Sequence, residues 1–391
     1  MPASAAARLQ RVTWFEVLFD LVAVIAIVQA GDIVSDDLTV VGLARWLLVL
    51  ALLWWSWTGT ALSFRRYVDH SPVARLLVAV QVIALIVVAV TVPTATGVTA
   101  DAFAWSFFVA RLALLGVYLV AEPDTGPSRG LVDRYVWVGL LAATLLPLST
   151  VFSGTAQQAL WGLSLLIMVV GSVSTEAGRR HHHPPTASEH MVERYALFTV
   201  ILLAAAVFKA VTALSGQGFT GLTVGLCVFL GVVILSLGLL YVARIEADVR
   251  PSPASVYVWV VAHFIVTVGL ALLPVGVRRS GLLEPGAEMD GMVLAVLAAA
   301  VAAALLGLAL LRAVTVLPRS GVFERPRPGV PAPLIAAAGA IAGILALAGM
   351  VGAGLDVRVA LLLVAALAVL PAGADLAWPA LSAPTEEART I

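Results

Sequence analysis

The chain is predicted to be an all-α, polytopic integral membrane bundle, and three features of its 391 residues carry that expectation. Hydrophobic residues make up 61% and charged residues only 12%, against about 25% charged in a soluble domain. Mean hydropathy is +1.03. The apolar residues are also gathered into about twelve runs of spanning length, separated by charged or Pro/Gly-rich breaks. So little polar sequence cannot clothe a surface in water, which excludes a soluble globular protein. With hydrocarbon as the solvent, each spanning segment must satisfy its own backbone as a helix.

A span needs about 20 mostly apolar residues to cross roughly 30 Å of hydrocarbon. The runs lie near 12–30, 39–62, 73–92, 101–121, 133–153, 156–175, 193–214, 219–243, 254–277, 289–313, 332–352 and 355–379. The first follows an arginine-bearing start without a small-residue cleavage site and contains acidic residues, so it reads as a retained helix and not a removed signal peptide. The second carries Arg45 near its start, expected to snorkel, together with Trp46, Trp54, Trp55 and Trp57, which suit packing and interfacial anchoring. Arg111 falls about ten residues into the fourth, Lys209 late in the seventh, and His263 about nine residues into the ninth. Gly221/Gly225 and Gly339/Gly343 are spaced four apart, which permits close helix approach.

Arginine distribution orients the bundle, because cytoplasmic loops retain positive charge. Of the 22 arginines, 17 fall on one side, among them Arg8, Arg11, Arg65, Arg66, Arg134, Arg194, Arg250, Arg319 and Arg389. Arg278, Arg279 and Arg358 make 3 on the other side, while Arg45 and Arg111 lie within helices. Both termini are therefore expected in the cytoplasm. The stretch from Thr175 to Glu189 divides the chain into a first half, 1–185, and a second half, 186–391, of about six helices each.

The first helix holds the least expected residues. Glu16 and Asp20 are four apart and so stack on one helix face, with Asp20 roughly 12 Å inside the boundary at 1.5 Å per residue. A charge at that depth costs about 2.5 to 3.5 kcal/mol on insertion scales and needs a partner, a proton or a water-filled cavity. Arg111, at similar depth, is the expected partner. His263 is placed either to relay protons or to make a neutral hydrogen bond between helices. Packing alone would account for Asp20 if it bonds a neighbouring helix.

Other features narrow the chemistry. The adjacent His181, His182 and His183 lie in a Pro-bounded loop without the fixed geometry of a metal centre, so no metal is expected there. Cys227 is the lone cysteine and reads as a small hydrophobe. The 23 basic and 23 acidic residues cancel, which argues against nucleic acid. There is no GxxxxGK loop, GxSxG elbow or HExxH pair, so nucleotide hydrolysis, serine hydrolysis and zinc proteolysis lack their usual residues. No cofactor is expected, and the expected partners are the lipid bilayer and a small solute or ion.

The run Glu16-Val-Leu-Phe-Asp-Leu-Val, with Gln29 at the helix end, resembles the opening signature of the bacterial low-temperature-requirement A (LtrA) family of membrane proteins. Trp54, Trp57, Arg66, Tyr67, Asp69 and Arg75 are similar to the pattern of its second helix and loop, and Arg111 to its fourth-helix arginine. His190, Glu193, Arg194, Leu197 and Phe198 resemble its HxxERxxLF motif, Phe19 belongs to its first-helix signature, and His263 is placed like its later histidine. The resemblance implies a multi-pass protein of the bacterial inner membrane. Where the family has a Gly-Glu-Ser triplet, this chain has Ala204, Ala205 and Ala206, so it lacks that intramembrane glutamate.

These features lead to an expected secondary transporter or channel-like permease whose buried polar site comprises Glu16, Asp20, Arg111 and His263, with no catalytic residues. A membrane-embedded enzyme on a lipid or prenyl substrate and a noncatalytic envelope or sensory protein remain as alternatives; the former lacks paired DxxxD motifs. The arginine bias makes a direct prediction. Reporter fusions after residues 185 and 330 should report cytoplasm and a fusion near residue 97 the outside; the reverse pattern contradicts the orientation.

Overall fold

The computed structural model describes residues 14–67, 72–120, 129–179, 189–242, 248–249, 253–284, 287–316, 332–349 and 356–381. Arg11, Asp69 and His181 to His183 lie outside them, as do residues 185 and 330, and nothing of their placement enters below. The chain forms two compact units, Met1–Ile201 and Leu202–Ile391.

The first unit contains α1 (Trp14–Gln29), α2 (Gly31–Asp36), α3 (Val40–Tyr67), α4 (Pro72–Thr91), α5 (Ala100–Val120), α6 (Arg129–Ser149), α7 (Gly154–Arg179) and the start of α8 (Glu189–Ser215). α1 and α2 make one span, Trp14–Asp36. The ladder continues through the junction, where the Ala30 amide donates to Ala26 O at 3.0 Å and the Ile33 amide to Ala30 O at 3.1 Å. Thr39 then starts α3: its hydroxyl accepts from the Gly42 amide at 3.1 Å, satisfying one of the donors that a helix start leaves open. α1 packs on α3 and α4, α3 on α5 and α7, and α4 through α7 follow one another as neighbours.

The core of this unit is aromatic and aliphatic: Trp46, Leu50, Phe103, Phe107 and Trp161 are fully buried. A buried indole usually finds an acceptor: Trp161 donates to the Ser149 hydroxyl at 2.8 Å, whereas Trp46 Nε1 has none among the described residues. Ser164 on α7 donates to Ala142 O on α6 at 2.7 Å. The opposite helix faces are apolar too. Along α4, Leu76, Ile83 and Val90 stand at seven-residue intervals and are 65%, 63% and 74% exposed. In water such a stripe would be an anomaly; against acyl chains it is the surface that a span requires.

The second unit contains the end of α8, then α9 (Gly221–Val242), α10 (Pro253–Gly281), α11 (Gly291–Val314), α12 (Ala332–Gly349) and α13 (Val357–Leu381). A two-residue antiparallel pair joins β1 (Asp248–Val249) to β2 (Thr315–Val316). Asp290 caps α11, accepting from the Met292 and Val293 amides at 2.9 and 3.0 Å. α10 lies along α11, and the contact is close because both carry glycine where they meet. A Cβ on Gly269 would stand 2.5 Å from Ala300 O, and one on Gly307 would stand 2.7 Å from Ala262 O.

The two glycine pairs picked out by their spacing are met unequally. Gly225 and Gly339 have nothing within 4 Å of a Cβ position, and Gly221 has only Arg358 Nη2 at 3.9 Å. Of the four expected residues, Gly343 alone is closely met, by Leu367 at 2.9 Å. Four-residue spacing permits close approach but does not recruit a neighbour to the glycine face.

Among the described residues, ten helices are long and apolar enough to cross a membrane. The expected runs 133–153 and 332–352 fall on α6 and α12, which are helical but not among those ten. Substituting Gly269→Ala or Gly307→Ala should each destabilise the protein by about 1 to 3 kcal/mol through overpacking, while Gly225→Ala should be neutral or mildly stabilising. Thermal melting in detergent measures all three; equal melting temperatures would contradict the α10–α11 packing.

Candidate functional site

Two helices bring matched polar pairs together in the first unit. On α1, Glu16 and Asp20 are four residues apart; on α8, His190 and Arg194 are also four apart. Glu16 Oε1 lies 3.0 Å from His190 Nε2 and 3.4 Å from Arg194 Nη1. Asp20 takes the greater share of the guanidinium, with Oδ1 2.9 Å from Nη2 and Oδ2 3.4 Å from Nε. Two parallel N–H···O contacts of this kind give geometric specificity as well as energy. The contacts advance by four residues on each helix, 16 to 190 and 20 to 194, so α1 and α8 run in the same direction where they meet.

Aromatic side chains seal the pair from solvent. The side chains of Asp20 and Arg194 are 0% and 1% exposed, that of Glu16 4%, and that of His190 12%. Trp57 on α3 donates its indole N–H to Asp20 Oδ1 at 2.7 Å. Its ring packs on Phe198 at 4.0 Å and Tyr195 at 4.8 Å between centroids, and Trp54 meets the same two rings. The Arg194 guanidinium carbon lies 5.8 Å from the centroid of buried Phe19, within cation–π range. The sequence therefore commits residues of α1, α3 and α8 to one buried charge cluster whose outer edge is His190.

The expected pairing of Asp20 with Arg111 is corrected. Arg194 is the partner because it stands level with Asp20 on the neighbouring parallel helix and presents two nitrogens to it. Arg111 is buried at 1% exposure on α5, and its Nε and Nη1 meet no acceptor among the described residues. His263 belongs to the second unit. A carbonyl can only accept, so Nδ1 donates to Trp259 O at 2.8 Å, and Nε2 lies 3.2 Å from the Tyr241 hydroxyl. Glu193 is exposed beside the buried Arg194.

Sequence reasoning placed Trp57 with the packing residues and counted Arg194 with the loop charges. The available signal was the matched spacing: an acid pair and a basic pair, each four apart, on two helices expected to start from the same side. No group of three or more His, Cys, Asp or Glu among the described residues is arranged for a metal ion. A cleft of about 800 Å³ lies elsewhere in the unit, between the α4–α5 and α6–α7 turns, lined by residues including Asp101, Phe152 and Gln157.

Breaking a buried ion pair by removing one partner costs about 3 to 5 kcal/mol, because the other charge is stranded. Asp20→Ala and Arg194→Ala should each destabilise the protein on that scale, and the double variant should cost much less than the sum. Asp20→Ala and Arg111→Ala should instead be additive. A thermal-melt double-mutant cycle with the reverse pattern would return Asp20 to Arg111.

A family model described as bacterial low temperature requirement A protein (LtrA) matches residues 11–381, a span that takes in Glu16, Asp20, Trp57, Arg111, His190, Arg194 and His263. No curated protein matches the chain. The apolar helices fit a multi-pass integral membrane protein, in keeping with a match that covers nearly the whole sequence, and the chain belongs to the LtrA family.

Proposed function

We propose that the chain is a secondary transporter or channel-like permease of the bacterial inner membrane, and that the Glu16–Asp20–Arg194–His190 cluster is its proton- or cation-responsive element. The observation that carries this reading is the contact of His190 with Glu16 at the edge of an otherwise sealed ion pair. Imidazole is the side chain whose unperturbed titration falls in the physiological range. A proton gained at His190 strengthens its hold on Glu16, which loosens the 3.4 Å contact between Glu16 and Arg194. Arg194 then turns wholly to Asp20, and α8 shifts against α1. The polar residues are thus a two-state contact and not only glue.

Twelve spans with both termini in the cytoplasm belong to the same proposal. Parallel α1 and α8 need an odd number of crossings between them. α3, α4, α5, α6 and α7 supply five; without α6 there would be four and α8 would run the other way. The register of the cluster therefore favours α6 as a span, although it is not among the ten described helices long and apolar enough to cross a membrane. The same proposal divides the chain into two halves of about six helices each, 1–185 and 186–391.

The test is proton movement into proteoliposomes containing pyranine, followed across external pH. Glu16→Gln and His190→Gln should shift the pH profile of flux, and Asp20→Asn should lower its rate. If all three variants keep the wild-type rate and profile, the cluster is structural and the transporter reading fails.

A further inference from the structure

The geometry points to Arg111 as the anchor of a separate binding site in the first unit, one that takes a small monocarboxylate. Arg111 is 1% exposed, and its Nε and Nη1 have no acceptor among the described residues. A buried guanidinium in that condition is costly, so its charge and donors call for an anion. Neighbouring groups are polar and converge on one face of α3. Gly59 has no side chain there: a Cβ would stand 3.1 Å from the Tyr135 hydroxyl, 3.2 Å from Leu114 Cδ2 and 3.9 Å from Arg111 Nη1. The hydroxyl and the guanidinium therefore approach the same bare point of the helix.

Around that point, other polar atoms are held in place. Tyr118 donates to Gly59 O at 2.9 Å, and its ring packs against Tyr135 at 4.7 Å. Gln81 on α4 donates to the Thr60 hydroxyl at 2.8 Å. The Oε1 of Gln81 and the hydroxyl of Ser56 are buried with no partner among the described residues. Ser56, Gly59 and Thr60 stand at i, i+3 and i+4 and so share a face of α3. Arg111 Nε and Nη1, Gln81 Oε1 and the Ser56 hydroxyl thus keep hydrogen-bonding capacity that no described side chain takes up.

The ligand class follows from charge and shape. One guanidinium in a low-dielectric interior balances one negative charge, which disfavours sulfate or a phosphate dianion. Its planar fork matches a carboxylate through two directed N–H bonds, whereas a halide answers the charge without using the directions. The Tyr135 hydroxyl is placed to donate to the same group, and Leu114 with the tyrosine rings offers apolar contact to a short alkyl tail. Movement of the bound carboxylate across the membrane rests on the transporter reading above; binding does not.

Equilibrium binding of radiolabelled acetate and propionate to the purified full-length protein in detergent tests the site, at constant ionic strength with chloride, nitrate and sulfate as competitors. Saturable binding near one equivalent is expected. Arg111→Gln should weaken it at least tenfold, and Arg111→Lys, which keeps the charge and loses the fork, should weaken it less. If Arg111→Gln does not fold, Gly59→Ala gives the answer, since its methyl would stand between the Tyr135 hydroxyl at 3.1 Å and Arg111 Nη1 at 3.9 Å and should also weaken binding several-fold while the charge remains. Absence of saturable binding by the unaltered protein would overturn the site, as would binding that neither the foldable Arg111 variants nor Gly59→Ala change, or equal competition by chloride. Binding without flux would contradict the transporter reading and leave the site standing; pH-dependent proton flux without carboxylate binding would do the opposite.

Discussion

One guanidinium shared by two carboxylates organises the first unit. Arg194 cannot be carried into hydrocarbon alone, and neither can Asp20; each is tolerable because the other is 2.9 Å away in a site with little water to compete. That constraint fixes more than the pair. It sets the register of α1 against α8, brings Trp57 of α3 close enough to donate to Asp20, and gathers Tyr195, Phe198 and Trp54 around them as a dry wall. Hydrophobic burial has little power to select one helix arrangement over another when the solvent is itself apolar. In such a medium, directed polar contacts and close glycine packing carry the specificity, as the Arg194 cluster and the α10–α11 packing at Gly269 and Gly307 do here in their respective units.

The helices themselves were legible because hydropathy runs of about 20 residues admit few other structures in a membrane. Glu16 and Asp20 were legible for a related reason: acidic residues within such a run must have a purpose, and a spacing of four places them on one face. Arg194 was harder to see. It stands near a hydrophilic break, so a count of loop charges assigns it to the cytoplasmic surface, while Arg111, deep within a run, looks like the natural counter-ion. Depth along a helix does not say which helix is the neighbour. The matched spacing of His190 with Arg194 carries that information, since only a parallel partner with a four-residue repeat can meet Glu16 and Asp20 in order.

Two kinds of buried polar group follow. Glu16, Asp20, Arg194 and Trp57 bond within one cluster, which makes them an anchor for the surrounding helices. Arg111 keeps donors in reserve beside a glycine and a tyrosine hydroxyl, an arrangement that favours a ligand over a partner side chain. His190 falls between these cases. It touches the anchored cluster through Glu16 but is its most exposed member. His263, by contrast, has its Nδ1 proton fixed by the Trp259 carbonyl, as a hydrogen bond within its own unit requires.

The central claim is that α1 and α8 lie parallel with Glu16 beside His190 and Asp20 beside Arg194. Paired-cysteine cross-linking with a short bifunctional maleimide, in a Cys227→Ser background, measures it directly. The account predicts that the pairs Glu16→Cys with His190→Cys and Asp20→Cys with Arg194→Cys react faster than the offset pair Asp20→Cys with His190→Cys. Fastest reaction of the offset pair, or no reaction of either matched pair in folded protein, would contradict it.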